Sequence, residues 1–144
     1  VHFAFSEQQT EFRDAVRQVL AKECTPDHLR AAFEHPEARG PRWGALSELG
    51  VVGLTVPESQ GGLGLGLVDL VTLLEEAGRV ALPEPLLETT ALAAPLLAEL
   101  GPHGPPGPPG RWSEAIAAGQ VTAAVGTSTA GASPPVAGAD GADL

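Results

Sequence analysis

From Ser6 to Leu100 the apolar residues of this chain return every three or four positions, and beyond Leu100 that rhythm stops. A repeat near 3.6 puts side chains on one face of an α-helix, whereas a half-buried strand needs strict alternation. The first hundred residues can therefore bury their apolar side chains only as packed helices. The remainder is rich in Gly, Ala, Pro and Ser and has little to bury. The predicted fold class is all-α.

Individual elements follow from local signals. Ser6 and Gln9 have capping-box spacing, in which each side chain satisfies the other residue's amide. Phe12, Val16, Val19 and Leu20 continue as one stripe to about Ala21. Pro26 and Asp27 end that helix and start a short one through Leu29 and Phe33; His35 to Pro41 reads as a loop. A helix over 42–49 puts Trp43, Leu46 and Leu49 on one face, with Gly50 at the left-handed cap position. Val51 to Val56 is a short apolar stretch, extended or irregular, closed by Pro57. Gly61, Gly62, Gly64 and Gly66 then make a loop permissive in backbone angle.

The next helix is predicted over 67–79, with Leu67, Leu70, Val71, Leu74 and Ala77 buried and Asp69 near its positive end. Pro83 and Pro85 fit the first turn of a helix that reaches Leu100, with Gly101 as its cap. That helix is apolar on most sides, which predicts burial in a larger body, and Pro95 should bend it. Pro102 to Gly110 is a low-complexity surface loop. Ser113 to Ala118 reads as a brief helix and Val121 to Val125 as a single strand.

Charge narrows the partners. Eighteen acidic residues against eight basic ones give a formal charge of −10, so nucleic acid would be repelled over most of the surface. A ligand that carries phosphates meets the same field and would touch this chain through an apolar end. No apolar run approaches the roughly 20 residues of a membrane helix. Val1 to Ser6 lacks the form of a secretory signal, and with no initiating Met the N-terminus is expected to be processed or missing. Cys24, a lone cysteine, fits a reducing compartment, and a cytoplasmic location is expected.

Most chemical motifs fail on inspection. Gly61 and Gly66 have the outer spacing of a phosphate loop, but Leu67 and Val68 stand where Lys and Ser or Thr are needed. The dinucleotide fingerprint lacks its third glycine and its βαβ flanks. His2, His28, His35 and His103 have no metal-ligand spacing. No serine sits in a nucleophile elbow. Glu75 and Glu76 point about 100° apart on a helix, solvated or pairing with Arg79. Trp43 and Trp112 read as core anchors.

Two segments together resemble the acyl-CoA dehydrogenase family. Trp43 to Gly64, W-G-A-L-S-E-L-G-V-V-G-L-T-V-P-E-S-Q-G-G-L-G, is similar to that family's helix, glycine and P-E-x-x-G-G-x-G loop. V-D-L-V-T-L-L-E-E-A-G-R, ending at Arg79, is similar to its next helix, and F-S-E-Q-Q-T-E-F-R-D-A-V-R to its first. The resemblance covers about Phe3 to Leu100, and P-E-S-Q-G-G-L-G is its specific part. It implies a helical bundle-like N-terminal domain at 1–118, with the beginning of an incomplete middle β domain at 119–144.

The resemblance also implies a flavoprotein of fatty acid or other lipid metabolism. Such an enzyme oxidises an acyl-CoA thioester to the 2,3-enoyl-CoA. A glutamate of the C-terminal domain takes the α proton, and hydride passes to FAD. No segment here matches the base or the FAD motifs, so no catalytic, cofactor-binding or metal residue is assigned. FAD is expected in domains outside this chain. The implied partners are an acyl-CoA and further subunits in a homo- or hetero-oligomer. The helix after Arg79 helps form the family's acyl pocket. Here A-L-P-E-P-L-L-E-T-T replaces the small-residue start of straight-chain enzymes, and Leu86, Thr89 and Leu92 are the candidate lining residues. The alternative is a non-catalytic subunit or interaction module that supports a partner chain. Either way, titrating this chain with FAD is expected to give no saturable change in flavin fluorescence; stoichiometric binding would place the cofactor site here.

Overall fold

The computed structural model describes residues 4–35, 41–100 and 108–126. Within them the chain forms helices α1 (Glu7–Glu23), α2 (Pro26–Glu34), α3 (Arg42–Glu48) and α4 (Leu67–Arg79). Helix α5 joins a segment at Leu87–Ala93 to one at Ala94–Leu100, and α6 spans Pro108–Ala117. A single 3₁₀ turn, Glu58–Gln60, lies between α3 and α4. The all-α expectation holds. No described helix is long and apolar enough to cross a membrane.

The starts and stops have the expected local causes. Ser6 Oγ accepts from the Gln9 amide at 3.1 Å and Gln9 Oε1 accepts from the Ser6 amide at 2.8 Å, which closes the capping box of α1. Thr25 caps α2, with Pro26 in the first turn where its missing amide costs nothing. Gly50 ends the α3 region at φ +79°, a left-handed conformation that a side chain resists.

Three elements differ from expectation. Helix α6 begins at Pro108, inside the predicted loop, because prolines suit a first turn. Residues 101–107 and 36–40, and so the rest of both predicted loops and the Gly101 cap, lie outside the described residues. Over Leu87–Ala93 the expected bent α-helix is a π-helix instead, just before Pro95. Among the described residues there is no strand: 121–126 runs without a ladder, because its partner is a threonine side chain rather than a neighbouring strand.

The core gathers Val16 and Leu20 of α1, Trp43 and Leu46 of α3, and Leu70 and Leu73 of α4 around Val51, Val52, Leu54 and Val56. That short apolar stretch is irregular and fully buried. Ile116 closes the core from α6, whose Ala117 lies against Gly53. A Cβ on Gly53 would come within 2.9 Å of the Ala117 Cα, so glycine is what lets the two backbones meet. Trp43 is buried and its Nε1 donates to the Gly119 carbonyl at 3.0 Å, tying α3 to the turn after α6.

Helix α4 turns a different face inward. Leu70, Leu73 and Ala77 are buried together with Thr72 and Glu76, whereas Leu67 and Val71 are exposed and Leu74 is only partly covered. The helix is apolar enough to offer two overlapping stripes, and polar pairs with α1 select between them. Gln9 Nε2 donates to Asp69 Oδ1 at 2.7 Å. Arg17 grips the almost fully buried Glu76 with both ends of its guanidinium, at 2.9 and 2.7 Å. Arg79 meets Glu75 at 3.5 Å, as expected, and Glu76 at 3.5 Å as well.

The hydrogen bonds from Arg17 hold the Glu76 carboxyl below its ordinary pKa, against the opposing push of burial. A carboxylate with a depressed folded pKa stabilises the fold above its unfolded value, near 4.3, and loses that contribution as pH falls through the folded value. Glu76→Gln is therefore expected to lower the thermal midpoint at pH 7. The gap to the wild-type chain should close as pH drops below about 4, read by circular dichroism melts across pH.

Candidate functional site

Leu86 caps the start of α5 and Thr89 and Leu92 lie on it, and the structure separates the three. Leu86 is 2% exposed and Thr89 0%, both within the packed interior, while Leu92 is 50% exposed on the outer side. Thr89 is held by a two-way contact: its hydroxyl donates to the Ala123 carbonyl at 3.0 Å and accepts from the Ala123 amide at 3.1 Å. One side chain thus pins residues 121–126 against α5. The neighbouring Thr90 hydroxyl is buried too and donates to the Val52 carbonyl at 3.2 Å.

Turned the other way, Leu87, Leu92, Leu96 and Leu100 are exposed along the same helix. Apart from Glu88 and Glu99 this outer side carries no charge. It can shelter a hydrocarbon or another apolar surface.

A concavity lies beside α1. It is an open groove of about 530 Å³ whose lining includes Phe12, Leu49, Leu63 and Leu65, with Ser6 and Asp69 at its rim. Asp69 is fully engaged there, by Gln9 on one oxygen and by the Gly66 amide at 3.0 Å on the other. None of Leu86, Thr89 or Leu92 lines this groove.

The glycine loop has no amides to offer a phosphate. The amides of Gly61, Gly62, Leu63, Gly64 and Leu65 donate to the carbonyls of Glu58, Pro57, Gly53, Val56 and Leu54, and that of Gly66 to Asp69. A phosphate cradle needs those groups free and pointing outward, so these residues do not fit the pyrophosphate of a flavin dinucleotide. Among the described residues no three His, Cys, Asp or Glu come together as metal ligands. Burial, and then the nearby Glu84 charge, push the Cys24 thiol above its usual pKa, the opposite of an activated nucleophile. Glu84 itself accepts from Arg42 Nε at 2.6 Å in a nearly enclosed ion pair that joins the start of α5 to α3. Sequence reasoning missed this pair and the Arg17–Glu76 pair, since partners 42 and 59 positions apart leave no local signal.

Residues 6–104 match the family model of the acyl-CoA dehydrogenase N-terminal domain. The chain belongs to the acyl-CoA dehydrogenase family. Among curated relatives, the acyl-CoA dehydrogenase IpdE2 of Mycolicibacterium smegmatis is 37% identical over 94 residues, 64% of this chain and 30% of the relative. IpdE2 of Mycobacterium tuberculosis is 35% identical over 98 residues, 67% of this chain and 31% of its own length. The mitochondrial isovaleryl-CoA dehydrogenase of Bos taurus is 33% identical over 78 residues, 53% and 18% of the two chains. A solved structure, a variant of the Tcur3481-Tcur3483 steroid ACAD, superposes with a TM-score of 0.64 at 32% identity, covering 81% of this chain and 31% of that one. The match thus spans about three-tenths of the length of the IpdE2 proteins.

The exposed leucines of α5 have a measurable consequence. Burying a leucine contributes about 1.5–3 kcal/mol, so several left in water favour association. This chain by itself is expected to elute larger than a monomer or to bind a hydrophobic-patch dye. Replacing Leu92 and Leu96 with Gln should reduce either signal; a dye-silent, monomeric wild-type chain would show the face to be satisfied within these residues.

Proposed function

We propose that this domain serves an FAD-dependent acyl-CoA dehydrogenase that oxidises an acyl-CoA thioester to the 2,3-enoyl-CoA, and that α5 forms part of the wall of its acyl pocket. The observation that carries this reading is the leucine-bearing outer side of α5 in a chain of this family. Leu92 is the lining residue on that side. Leu86 and Thr89 act behind it, anchoring the helix that presents it. The domain's own residues supply no proton transfer and no flavin contact. They bind the apolar group and exclude water from it. FAD and the base would belong to residues other than these.

The likeness to a steroid ACAD supports a bulky, ring-bearing acyl group over a straight chain as substrate. The surface charge of −10 agrees with contact through the acyl end, because the coenzyme A phosphates are kept at a distance by their own sign. A second reading, a supporting chain in a two-chain enzyme, is favoured by the paired designation of that structural neighbour. The same wall would then complete a partner's pocket.

The test uses the complete enzyme assembly with a panel of steroid-derived and linear acyl-CoAs, following reduction of an electron-accepting dye. Ring-bearing substrates should turn over with the higher kcat/KM. Leu92→Gln should raise KM for them about tenfold with kcat nearly unchanged, the signature of lost ground-state binding worth about one leucine contact. An unchanged KM would remove α5 from the pocket, and no turnover of any acyl-CoA by the assembly would overturn the activity itself.

A further inference from the structure

The outer face of α5 depends on how the helix is wound. Nine positions separate Leu87 from Leu96. In an uninterrupted α-helix, nine steps of about 100° would set them on opposite sides. Both are exposed, while Thr89, Thr90, Ala93 and Ala94 are buried. The π-helical segment Leu87–Ala93 brings the two closer together. Hydrogen bonds that reach back five residues instead of four insert one extra residue into the turn. That withdraws about 100° of rotation and leaves the two leucines within about 80° of each other. Leu92 and Leu100 then share their side.

The register traces to Pro95: in an unbroken α-helix its ring would strike the carbonyl of Ala91, four positions back. The Ala94 amide donates to the Thr89 carbonyl, five positions back. The Thr90 carbonyl thereby loses its α-helical donor. Its π-helical donor would be the nitrogen of residue 95, which is proline and carries no hydrogen. In an α register the Ala94 amide would serve this buried carbonyl; in the π register the carbonyl needs a donor from elsewhere. Thr55 provides one: its hydroxyl donates to the Thr90 carbonyl at 2.6 Å. The Thr90 hydroxyl returns the contact through Val52, so residues 52–55 clamp the helix at its irregular point.

We propose that Pro95 and Thr55 are positioning residues that hold α5 in its π register and so decide which side chains form the apolar wall. The use of that wall rests on the acyl-pocket reading above; the register does not. An α-helical α5 would turn Leu87 away from Leu96 and break the face into two.

A cysteine reporter reads the register. Leu87→Cys in the full chain should label readily with a maleimide, while the buried Cys24 stays slow. Adding Pro95→Ala and Thr55→Val removes the ring that would strike the Ala91 carbonyl and the hydroxyl that serves the Thr90 carbonyl in the π register. Labelling at 87 is then expected to slow at least about tenfold as the residue turns inward. An unchanged rate in a variant with unaltered far-ultraviolet circular dichroism overturns the proposal. Deleting Ala91 gives a second reading that does not depend on that variant folding. It takes out the extra residue and makes the Ala94 to Thr89 bond an ordinary α-helical one. The deletion should keep both the thermal midpoint and the Leu87→Cys labelling rate close to those of the reporter chain, and loss of either overturns the proposal. In the complete assembly, slowed labelling with an unmoved KM for acyl-CoA would support the register and overturn the pocket reading.

Discussion

An irregular stretch of backbone passes through the middle of this domain, and the rest of the structure is arranged to satisfy it. Val51, Val52, Leu54 and Val56 are fully buried, yet the segment belongs to no helix or sheet that would pair its polar groups. A buried carbonyl without a partner is costly, so each needs a donor. The Val51 carbonyl takes the Leu54 amide, and that of Gly53 takes the amides of Val56 and Leu63. Those of Leu54 and Val56 take the amides of Leu65 and Gly64, and that of Val52 takes the Thr90 hydroxyl. The glycine loop is therefore a cover for the core segment. A Cβ on Gly62 would collide with the Val56 carbonyl, which is why this fold-back needs glycine.

The same requirement explains why the loop resembles a phosphate site in spacing and is none in chemistry. Its amides face inward because the core claims them. With the loop so occupied, the domain's surface offers two apolar features, the groove beside α1 and the leucine side of α5.

Buried polar contacts do a separate job from the apolar core. The core favours compactness without regard to which face of a helix it takes. Arg17 with Glu76, Gln9 with Asp69, and Arg42 with Glu84 each accept one rotation of their helices and reject its neighbours. Buried ion pairs add little net stability because both charges give up water. Their effect here is on phase: they set α4 with Leu73 inward and Val71 outward. The threonines of α5 act alike, with Thr89 holding residues 121–126 and Thr90 holding 52–55.

Sequence alone determined what depends on neighbours a few positions apart. The α1 capping box, the α2 start at Pro26, the left-handed Gly50 and the 67–79 span were all legible, because each is a local hydrogen bond, ring or backbone angle. The family was legible in the P-E-S-Q-G-G-L-G loop, since its glycines are required by close backbone contacts. Only the tertiary structure decided the rest. The phase of α4 was set by Arg17, and the winding of α5 by a Thr55 hydroxyl acting where Pro95 withholds a donor. The division of Leu86, Thr89 and Leu92 between interior and surface followed from how α5 packs against the core. Each of these turns on a partner tens of residues away, and a contact of that kind leaves no trace in the periodicity of either segment alone.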